Sequence, residues 1–327
     1  MKIKATLDRI PGGMMVVPLL VGACFNTFAP NALRIGGFTE ALFVNSSSTL
    51  IALFLLIAGT QITFKTAGSS VGKGVTLLVF KWAIGALLGL IAIMFADSNG
   101  LFLGLAPLAI IAAMTNSNGG LYIALAGQYG KEDDKAAYPF LALSDGPFLT
   151  MVALSIFGAM GFANGMFSPM SFVAVLLPLL VGVVIGNLDR DMADWLHKGS
   201  DKLVPFFAFS LGMGINFSSI IQGGLSGILL GVMTVLITGG IGFLLFRAIG
   251  WNPIVGASEG STAGNAVGTP AAILAANASF APIAELATVQ IAASVVTTAI
   301  LLPIFIGFLS KRLEKSGGVA KYNNPTS

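Results

Sequence analysis

Charged residues, cysteine and histidine are all scarce in this 327-residue chain, and each shortage excludes a class of protein. The single cysteine, Cys24, excludes a disulfide framework and a thiolate metal site. The single histidine, His197, stands in a charged segment that we interpret as a solvated surface loop. No nucleophile, metal-ligand or nucleotide-binding spacing accompanies it, so we predict neither an enzyme nor a cofactor.

The shortage of charge excludes a soluble domain. Charged residues make up 9% of the chain, hydrophobic residues 55%, and the mean hydropathy is +0.90. The apolar runs are long enough to cross a hydrocarbon core of about 30 Å as helices, and they lack the alternation of barrel strands. The sequence therefore predicts an all-α membrane protein.

Ten membrane spans are predicted from the apolar runs. The first follows Lys2, Lys4 and Arg9 in the manner of a secretory signal, but it is too long for one and lacks a clear cleavage site, so we retain it as a helix. The predicted spans are 13–29, 41–60, 74–95, 101–126, 138–162, 169–187, 203–221, 227–246, 253–277 and 283–309.

Basic residues are distributed very unevenly between the two sides of these spans. Fifteen of the seventeen lie in the two termini and in alternate loops, on one side. The opposite side has only Arg34, and Lys81 lies inside the third span. The positive-inside rule predicts cytoplasmic termini and an even number of spans. These loops also account for the net charge of +3, so no nucleic-acid partner is predicted.

Short matches between the two halves of the chain indicate an internal repeat. Pro18–Gly22 recurs as Pro178–Gly182, at an offset of 160. Weaker matches follow at offsets of 153 (Ile62 with Ile215), 147 (Thr115 with Thr262) and 143 (Pro139 with Pro282). Two five-helix repeats, 1–163 and 164–327, would enter the membrane from opposite sides because five is odd.

Two predicted spans, the fourth and the ninth, each carry a polar cluster in their middle, at Thr115–Gly120 and at Glu259–Asn265 respectively. A bilayer tolerates such clusters only where they face protein or a water-filled cavity. Glycines 119, 120, 260, 264 and 268 weaken the helix there, although small residues spaced by four can also simply allow close helix packing. We predict discontinuous helices that meet at a solute site. The predicted solute-binding residues are Thr115, Asn116, Ser117, Asn118, Ser261, Thr262, Asn265 and Lys81.

Few ionisable residues lie at depth in the predicted membrane. Asp145 in span five and Glu259 at the start of the second cluster are the leading proton-coupling candidates, because an unpaired carboxylate there favours its neutral form. The alternative for each is a permanently paired structural acid. Glu285, nearer the end of span ten, is a weaker candidate. Lys81 has three interpretations, which are binding an anionic solute, pairing with Asp145, or reaching the headgroups. The Asn45–Thr49 run is interpreted as a helix contact.

Two other functions also use buried acids or polar helix breaks. A membrane protease would use Asp145 and Glu259 as a pair of acids, but their surroundings match no known paired-acid motif. A passive channel is the stronger rival, because polar helix breaks also line pores. Counterflow and accumulation against a gradient distinguish a transporter from a channel.

The chain resembles the 2-keto-3-deoxygluconate permease family of bacteria over nearly its whole length. The resemblance rests on Arg9–Met14, Ala113–Tyr122, Leu143–Pro147 and Gly264–Pro270. It implies a multi-pass inner-membrane symporter that imports 2-keto-3-deoxygluconate, a sugar-acid anion, together with protons. The predicted partners are this anion, the proton and the lipid bilayer, and a homodimer is left open.

The resemblance also implies kinship with the bile acid, arsenite and riboflavin transporter superfamily. In that fold, crossed and broken helices four and nine belong to a core domain, here 74–162 and 227–310, beside a panel domain of 10–60 and 169–221. Sodium-coupled relatives place an acid and an amide on the second broken helix. Glu259 matches the acid but no glutamine adjoins it, which favours protons over a sodium-coupled carboxylate symporter.

Overall fold

A computed structural model describes residues 2–7, 13–62, 69–131, 134, 137–144, 146–162, 167–214 and 217–315. This part of the chain consists of helices and connecting loops, with no β-strand among its residues. Short 3-10 turns lie at Ala142–Ser144, Gly264–Gly268 and Ala278–Phe280, and a π segment at Thr234–Gly239. The α-helices, numbered in chain order, are α1 Ile3–Leu7, α2 Gly13–Phe28, α3 Gly37–Phe43, α4 Ser47–Thr60, α5 Ser69–Met94, α6 Pro107–Thr115, α7 Gly119–Tyr129, α8 Tyr138–Leu141, α9 Phe148–Ala159, α10 Pro169–Leu188, α11 Arg190–Gly212, α12 Phe217–Met233, α13 Gly240–Ile249, α14 Pro253–Ala257, α15 Thr269–Ala276 and α16 Ala281–Lys315.

Three described helical segments are long and apolar enough to cross a membrane: Val71–Met94, Gly223–Ile249 and Ala278–Lys315. Two further pairs satisfy the same test together but are bent, by 59° between α3 and α4 and by 43° between α6 and α7. Shorter apolar helical segments, of 10–17 residues each, lie at Val16–Phe28, Phe148–Ala159, Leu176–Leu188 and Lys202–Gly212. The fold is thus all-helical with three to five candidate spans, and the count of ten stays a prediction.

Two segments differ from their predicted form. The segment predicted as one span at 41–60 is broken at its polar run, where Ser46 Oγ donates to Leu42 O and Ser47 N donates to Ser210 Oγ at 3.1 Å. These hydroxyl bonds replace part of the helical ladder, which explains the bend. The segment predicted as a loop at 188–202 is instead helical, because α11 begins at Arg190 with Asp189 as its N-cap.

α6 forms the centre of the hydrophobic core. All nine of its residues are buried, and Gly89 of α5 lets Ile111 pack directly against the α5 backbone. The Trp82 indole donates to Leu149 O at 3.0 Å and ties α5 to α9. In contrast, α10 exposes apolar side chains, including Val184 and Leu188, as expected for a helix that faces lipid.

Glycines allow two pairs of helices to touch backbone to backbone. A side chain at Gly22 of α2 would overlap the α11 backbone at Phe209 and Gly212. A side chain at Gly182 of α10 would likewise overlap the α4 backbone near Gly59. Close approach of this kind is typical of small residues at membrane helix interfaces. The four helices are therefore held in two tight pairs, α2 with α11 and α4 with α10.

Candidate functional site

The first polar cluster interrupts the helix at residues 116–118. α6 ends at Thr115, Asn116 is extended with φ −93° and ψ 137°, and α7 begins at Gly119. Asn118 caps α7 by accepting from Leu121 N at 3.1 Å. Gly119 leaves no space for a side chain, because a Cβ there would overlap the Tyr138 ring. The break is thus built from a capping amide and a glycine at a close contact.

The second polar cluster interrupts the chain between α14 and α15. α14 ends at Ala257, and a 3-10 turn from Gly264 leads into α15. In between, Thr262 N donates to Thr298 Oγ1 at 3.1 Å, and the Thr262 and Ser294 hydroxyls lie 2.7 Å apart. Hydroxyls of α16 thereby supply hydrogen bonds that the helical ladder no longer provides, which a low-dielectric environment requires.

A buried ion pair joins the two breaks. Lys81 Nζ of α5 lies 3.2 Å from Glu259 Oε2 and donates to Ser261 O at 2.9 Å. Ser117 of the first break donates its hydroxyl to the same Glu259 oxygen at 2.8 Å. The Lys81 and Glu259 side chains are 1% and 0% exposed. Lys81 therefore pairs with an acid in the interior, and the interpretation that it reaches the headgroups is wrong.

Several buried polar atoms at the breaks have no hydrogen-bond partner among the described residues. They are Glu259 Oε1, Ser261 Oγ, Asn265 Nδ2 and Asn116 Oδ1. Buried polar atoms in proteins are nearly always hydrogen-bonded, so such a cluster has unused capacity to bind a polar molecule. The four atoms belong to both breaks, which places this capacity where the two broken segments meet.

A cavity of about 390 Å³, here called the crossover cavity, lies beside the breaks. Ser117, Asn118 and Asn265 contribute polar groups to its wall, and Gln61 and His197 contribute from the helices opposite. Its volume lies within the roughly 300–1,000 Å³ of small-molecule sites. Ser117 both lines this cavity and contacts Glu259, so one side chain joins the cavity wall to the ion pair.

Other predicted site residues occupy different positions. Asp145 lies outside the described residues. Glu285 lines a separate cavity together with Arg34, and is absent from the described lining of the crossover cavity. Thr115 is buried, with its hydroxyl 3.2 Å from that of Thr150. Within the described chain, no group of three or more His, Cys, Asp or Glu side chains is positioned to hold a metal ion.

Known proteins match this chain over nearly its full length. The sequence pattern of the 2-keto-3-deoxygluconate permease family matches residues 4–315. The chain is 50% identical over 321 residues to 2-keto-3-deoxygluconate permease 1 of Salmonella typhimurium strain LT2, covering 98% of this chain and 99% of that protein. It is 44% identical over 321 residues to the Bacillus subtilis strain 168 permease, covering 96% of each. The chain belongs to the 2-keto-3-deoxygluconate permease family.

Family membership makes this protein a bacterial membrane permease and not an enzyme, and confirms the resemblance noted in the sequence. The permease of Enterobacter sp. strain 638 is also similar, at 42% identity over 318 residues, covering 95% of this chain and 94% of that protein.

Sequence reasoning missed several residues of the candidate site. Thr150, Ser294 and Thr298 hold the broken segments through their hydroxyls, and His197 lines the crossover cavity rather than a loop. Ser294 and Thr298 are four residues apart and so share one face of α16. Two hydroxyls on one face of an apolar helix indicate a polar contact with a neighbouring segment. No sequence pattern indicated a site at His197, because only tertiary packing places it in the wall of the cavity that Asn118 also lines.

Proposed function

We propose that this permease imports 2-keto-3-deoxygluconate with one proton by alternating access, and that solute binds at the crossover cavity. Family membership supports the substrate, since relatives that cover nearly the whole chain carry this name. The observation that carries the mechanism is the chain of contacts from Ser117 through Glu259 to Lys81. It links a cavity-lining hydroxyl to a buried acid and a buried base.

Ser117, Asn118 and Asn265 are the proposed direct contacts of the sugar acid, because they line the cavity. Their hydroxyl and amide groups suit the hydroxyls of a sugar acid. α7 and the Gly264 turn both begin at the crossover, so their positive ends favour an anion there. The remaining predicted residues, Thr115, Asn116, Ser261 and Thr262, would hold the broken segments in position.

Glu259 is the proposed proton carrier, and Lys81 is the proposed counter-charge. A buried ammonium requires one negative partner, which is the Glu259 carboxylate in this structure. When a proton neutralises Glu259, the substrate carboxylate can replace it as the partner of Lys81. Counted over the described residues of the site and the bound anion, one buried positive and one buried negative charge are then present in both states, which makes binding of the anion and the proton mutually dependent.

The same contacts favour protons over sodium. Lys81 Nζ lies between a carboxylate oxygen of Glu259 and the main-chain oxygen of Ser261. Oxygen atoms of these two kinds are the ligands that hard metal cations take. A tethered ammonium therefore occupies the position that a cation would need beside Glu259. Asp145 and Glu285 are retained as secondary candidates for proton coupling.

We further infer ten spans in two inverted repeats. At the offset of 160, Gly22 corresponds to Gly182, and at the offset of 153, Gly59 corresponds to Gly212. The contact of Gly22 with Gly212 is then the counterpart of the contact of Gly182 with Gly59. Two repeats related by a pseudo-two-fold axis in the membrane plane would exchange their partners in this manner, which supports the proposal.

Hydroxyl pairs support the same relation in the proposed core. The Thr115–Thr150 pair and the Thr262–Ser294 pair are related by offsets of 147 and 144. We infer that 74–162 and 227–310 form the core domain, and that 10–60 and 169–221 form the panel against which the core moves. The uneven basic residues support cytoplasmic termini in the bacterial inner membrane.

Uptake into proteoliposomes, with pH gradient and voltage imposed separately, tests this function. One proton with a monoanion carries no net charge, so a gradient of one pH unit contributes about 1.4 kcal/mol, or about tenfold accumulation. Voltage alone is expected to have no effect, whereas a second proton would add about 2.3 kcal/mol per 100 mV. Absence of counterflow and of accumulation would favour a channel.

The proton assignment is tested by Glu259→Gln, with Asp194→Asn at an exposed salt bridge as the matched control. Glu259→Gln is expected to lose pH-driven accumulation, because an amide cannot exchange the proton, while the control retains it. Full pH-driven accumulation in Glu259→Gln would refute the assignment.

A further inference from the structure

A second polar cavity, here called the Arg34 cavity, lies between α4, α11, α15 and α16. Its volume is about 450 Å³, and its lining includes Arg34, Ser47, Ser210, Glu285 and Thr288. None of its described lining residues lines the crossover cavity. The proposed solute site therefore leaves this cavity without a role.

The repeat relates the two cavities residue by residue. At the offset of 153, three residues at the end of α4 or directly after it line the crossover cavity, and they correspond to three residues at the end of α11 or shortly after it that line the Arg34 cavity: Ile57 to Ser210, Ala58 to Leu211, and Gln61 to Gly214. Residues of the first repeat that line the Arg34 cavity likewise correspond to residues of the second repeat that line the crossover cavity: Val44 to His197 and Ser47 to Ser200, at the same offset. At the offset of 143, Tyr138 of the crossover cavity corresponds to Ala281 of the Arg34 cavity.

The two cavities also follow the same helices from opposite ends. On α11, residues up to Phe207 line the crossover cavity, and residues from Ser210 onward line the Arg34 cavity. Along the second broken segment, Asn265 lines the first cavity and Ala271 the second, whereas residues 266–270 between them are buried. The two cavities are thus separated, along the second broken segment, by the buried residues 266–270.

We propose that the Arg34 cavity is the outward-opening half of the solute path and receives the sugar-acid anion before the core moves. This inference rests on the proposed function and adds an external binding region to it. Arg34 is the sole basic residue on the predicted outer side, and a guanidinium binds a carboxylate through two parallel hydrogen bonds. The carboxylate of the sugar acid would bind at the Arg34 end of the cavity, and the hydroxyls of the sugar acid would face Ser47.

Sided labelling of single cysteines tests the path. Cys24 is the sole native cysteine, so Cys24→Ser gives a background for Thr288→Cys in the Arg34 cavity and Ser200→Cys in the crossover cavity. Thr234→Cys, which is fully buried and lines neither cavity, is the control. The probe is a membrane-impermeant methanethiosulfonate, applied to right-side-out and inside-out vesicles.

Thr288→Cys is expected to react from outside and Ser200→Cys from inside, while Thr234→Cys reacts from neither side. Saturating 2-keto-3-deoxygluconate is expected to slow labelling of Thr288→Cys several-fold. Labelling of Thr288→Cys from inside only, no labelling from outside, or no protection by the sugar acid would each overturn the proposal. Ser210→Cys is a second probe of the same cavity if Thr288→Cys does not fold.

Arg34 is tested by transport kinetics. Arg34→Gln is expected to raise the KM for 2-keto-3-deoxygluconate about tenfold with little change in maximal rate, and Arg34→Lys is expected to restore much of the loss. An unchanged KM in Arg34→Gln would refute the role of Arg34. Labelling of the cysteines does not depend on proton-driven uptake. Wild-type protein that fails to accumulate the sugar acid would therefore refute the proposed function. The side from which each cysteine reacts would still test the position of the Arg34 cavity.

Discussion

The buried pair of Lys81 and Glu259 allows a quantitative prediction about stability. Replacing Lys81 with Met leaves the Glu259 carboxylate with the Ser117 hydroxyl but without its counter-charge. Removing one partner of a buried ion pair costs about 3–5 kcal/mol, and losing the bond to Ser261 O adds about 1 kcal/mol. We expect Lys81→Met to reduce the free energy of unfolding by about 4–6 kcal/mol at neutral pH.

A double-mutant cycle isolates the charge interaction. In the Lys81→Met background, Glu259→Gln removes the uncompensated charge and keeps an oxygen for the Ser117 hydroxyl, so it should recover about 3 kcal/mol. Glu259→Gln alone should destabilise the protein. The double variant should thus be about 1–3 kcal/mol less stable than the wild type, and unable to couple uptake to protons.

Reversible unfolding by sodium dodecyl sulfate from mixed micelles measures the four free energies of the cycle. The reasoning would be refuted if Glu259→Gln changed stability by the same amount with and without Lys81, within about 0.5 kcal/mol. Such additivity would mean that the two side chains do not interact across the breaks. Pairing of Lys81 with Glu259 would then contribute neither to the fold nor to proton coupling.

Three further predictions concern separate parts of the permease. Gly182→Ala should destabilise the protein by about 1–3 kcal/mol, measured by the same unfolding assay, because the new methyl group overlaps the backbone at Leu56; an unchanged stability would show that the helices can separate. Asn265→Ala should raise the KM for sugar-acid uptake and leave stability within about 0.5 kcal/mol, because its Nδ2 has no partner in the described chain, and an unchanged KM would contradict a substrate contact. Lys73→Met should cost about 3 kcal/mol by leaving Asp134 buried at 2% exposure, and a loss below about 1 kcal/mol would show that this 2.6 Å pair is dispensable.

Much of the architecture was predictable from local patterns. The polar residues at 115–118 and 259–265 disrupt the helix wherever they stand, because glycine and capping amides favour non-helical backbone. The apolar composition likewise requires lipid or a large interface. The bend between α3 and α4 was not predicted, because it depends on a bond from Ser47 N to Ser210 Oγ, 163 residues away.

The candidate site was predictable in its position but not in its connections. Lys81 had three interpretations from sequence, since hydropathy cannot tell a buried base from one that reaches the headgroups. The charged neighbours of His197 predict a solvated loop residue; His197 is exposed, but it lies on α11 and also lines the crossover cavity. In both cases the deciding contacts come from helices far apart in the chain.

The sequence by itself determined that this chain is a helical membrane protein with two weakened segments, because hydrophobic runs, glycines and caps act over a few neighbouring residues. Only the tertiary structure decided that Lys81 pairs with Glu259, 178 residues away, and that Ser117 joins this pair to a cavity. A buried charge requires a partner, but which partner it finds depends on how the helices pack.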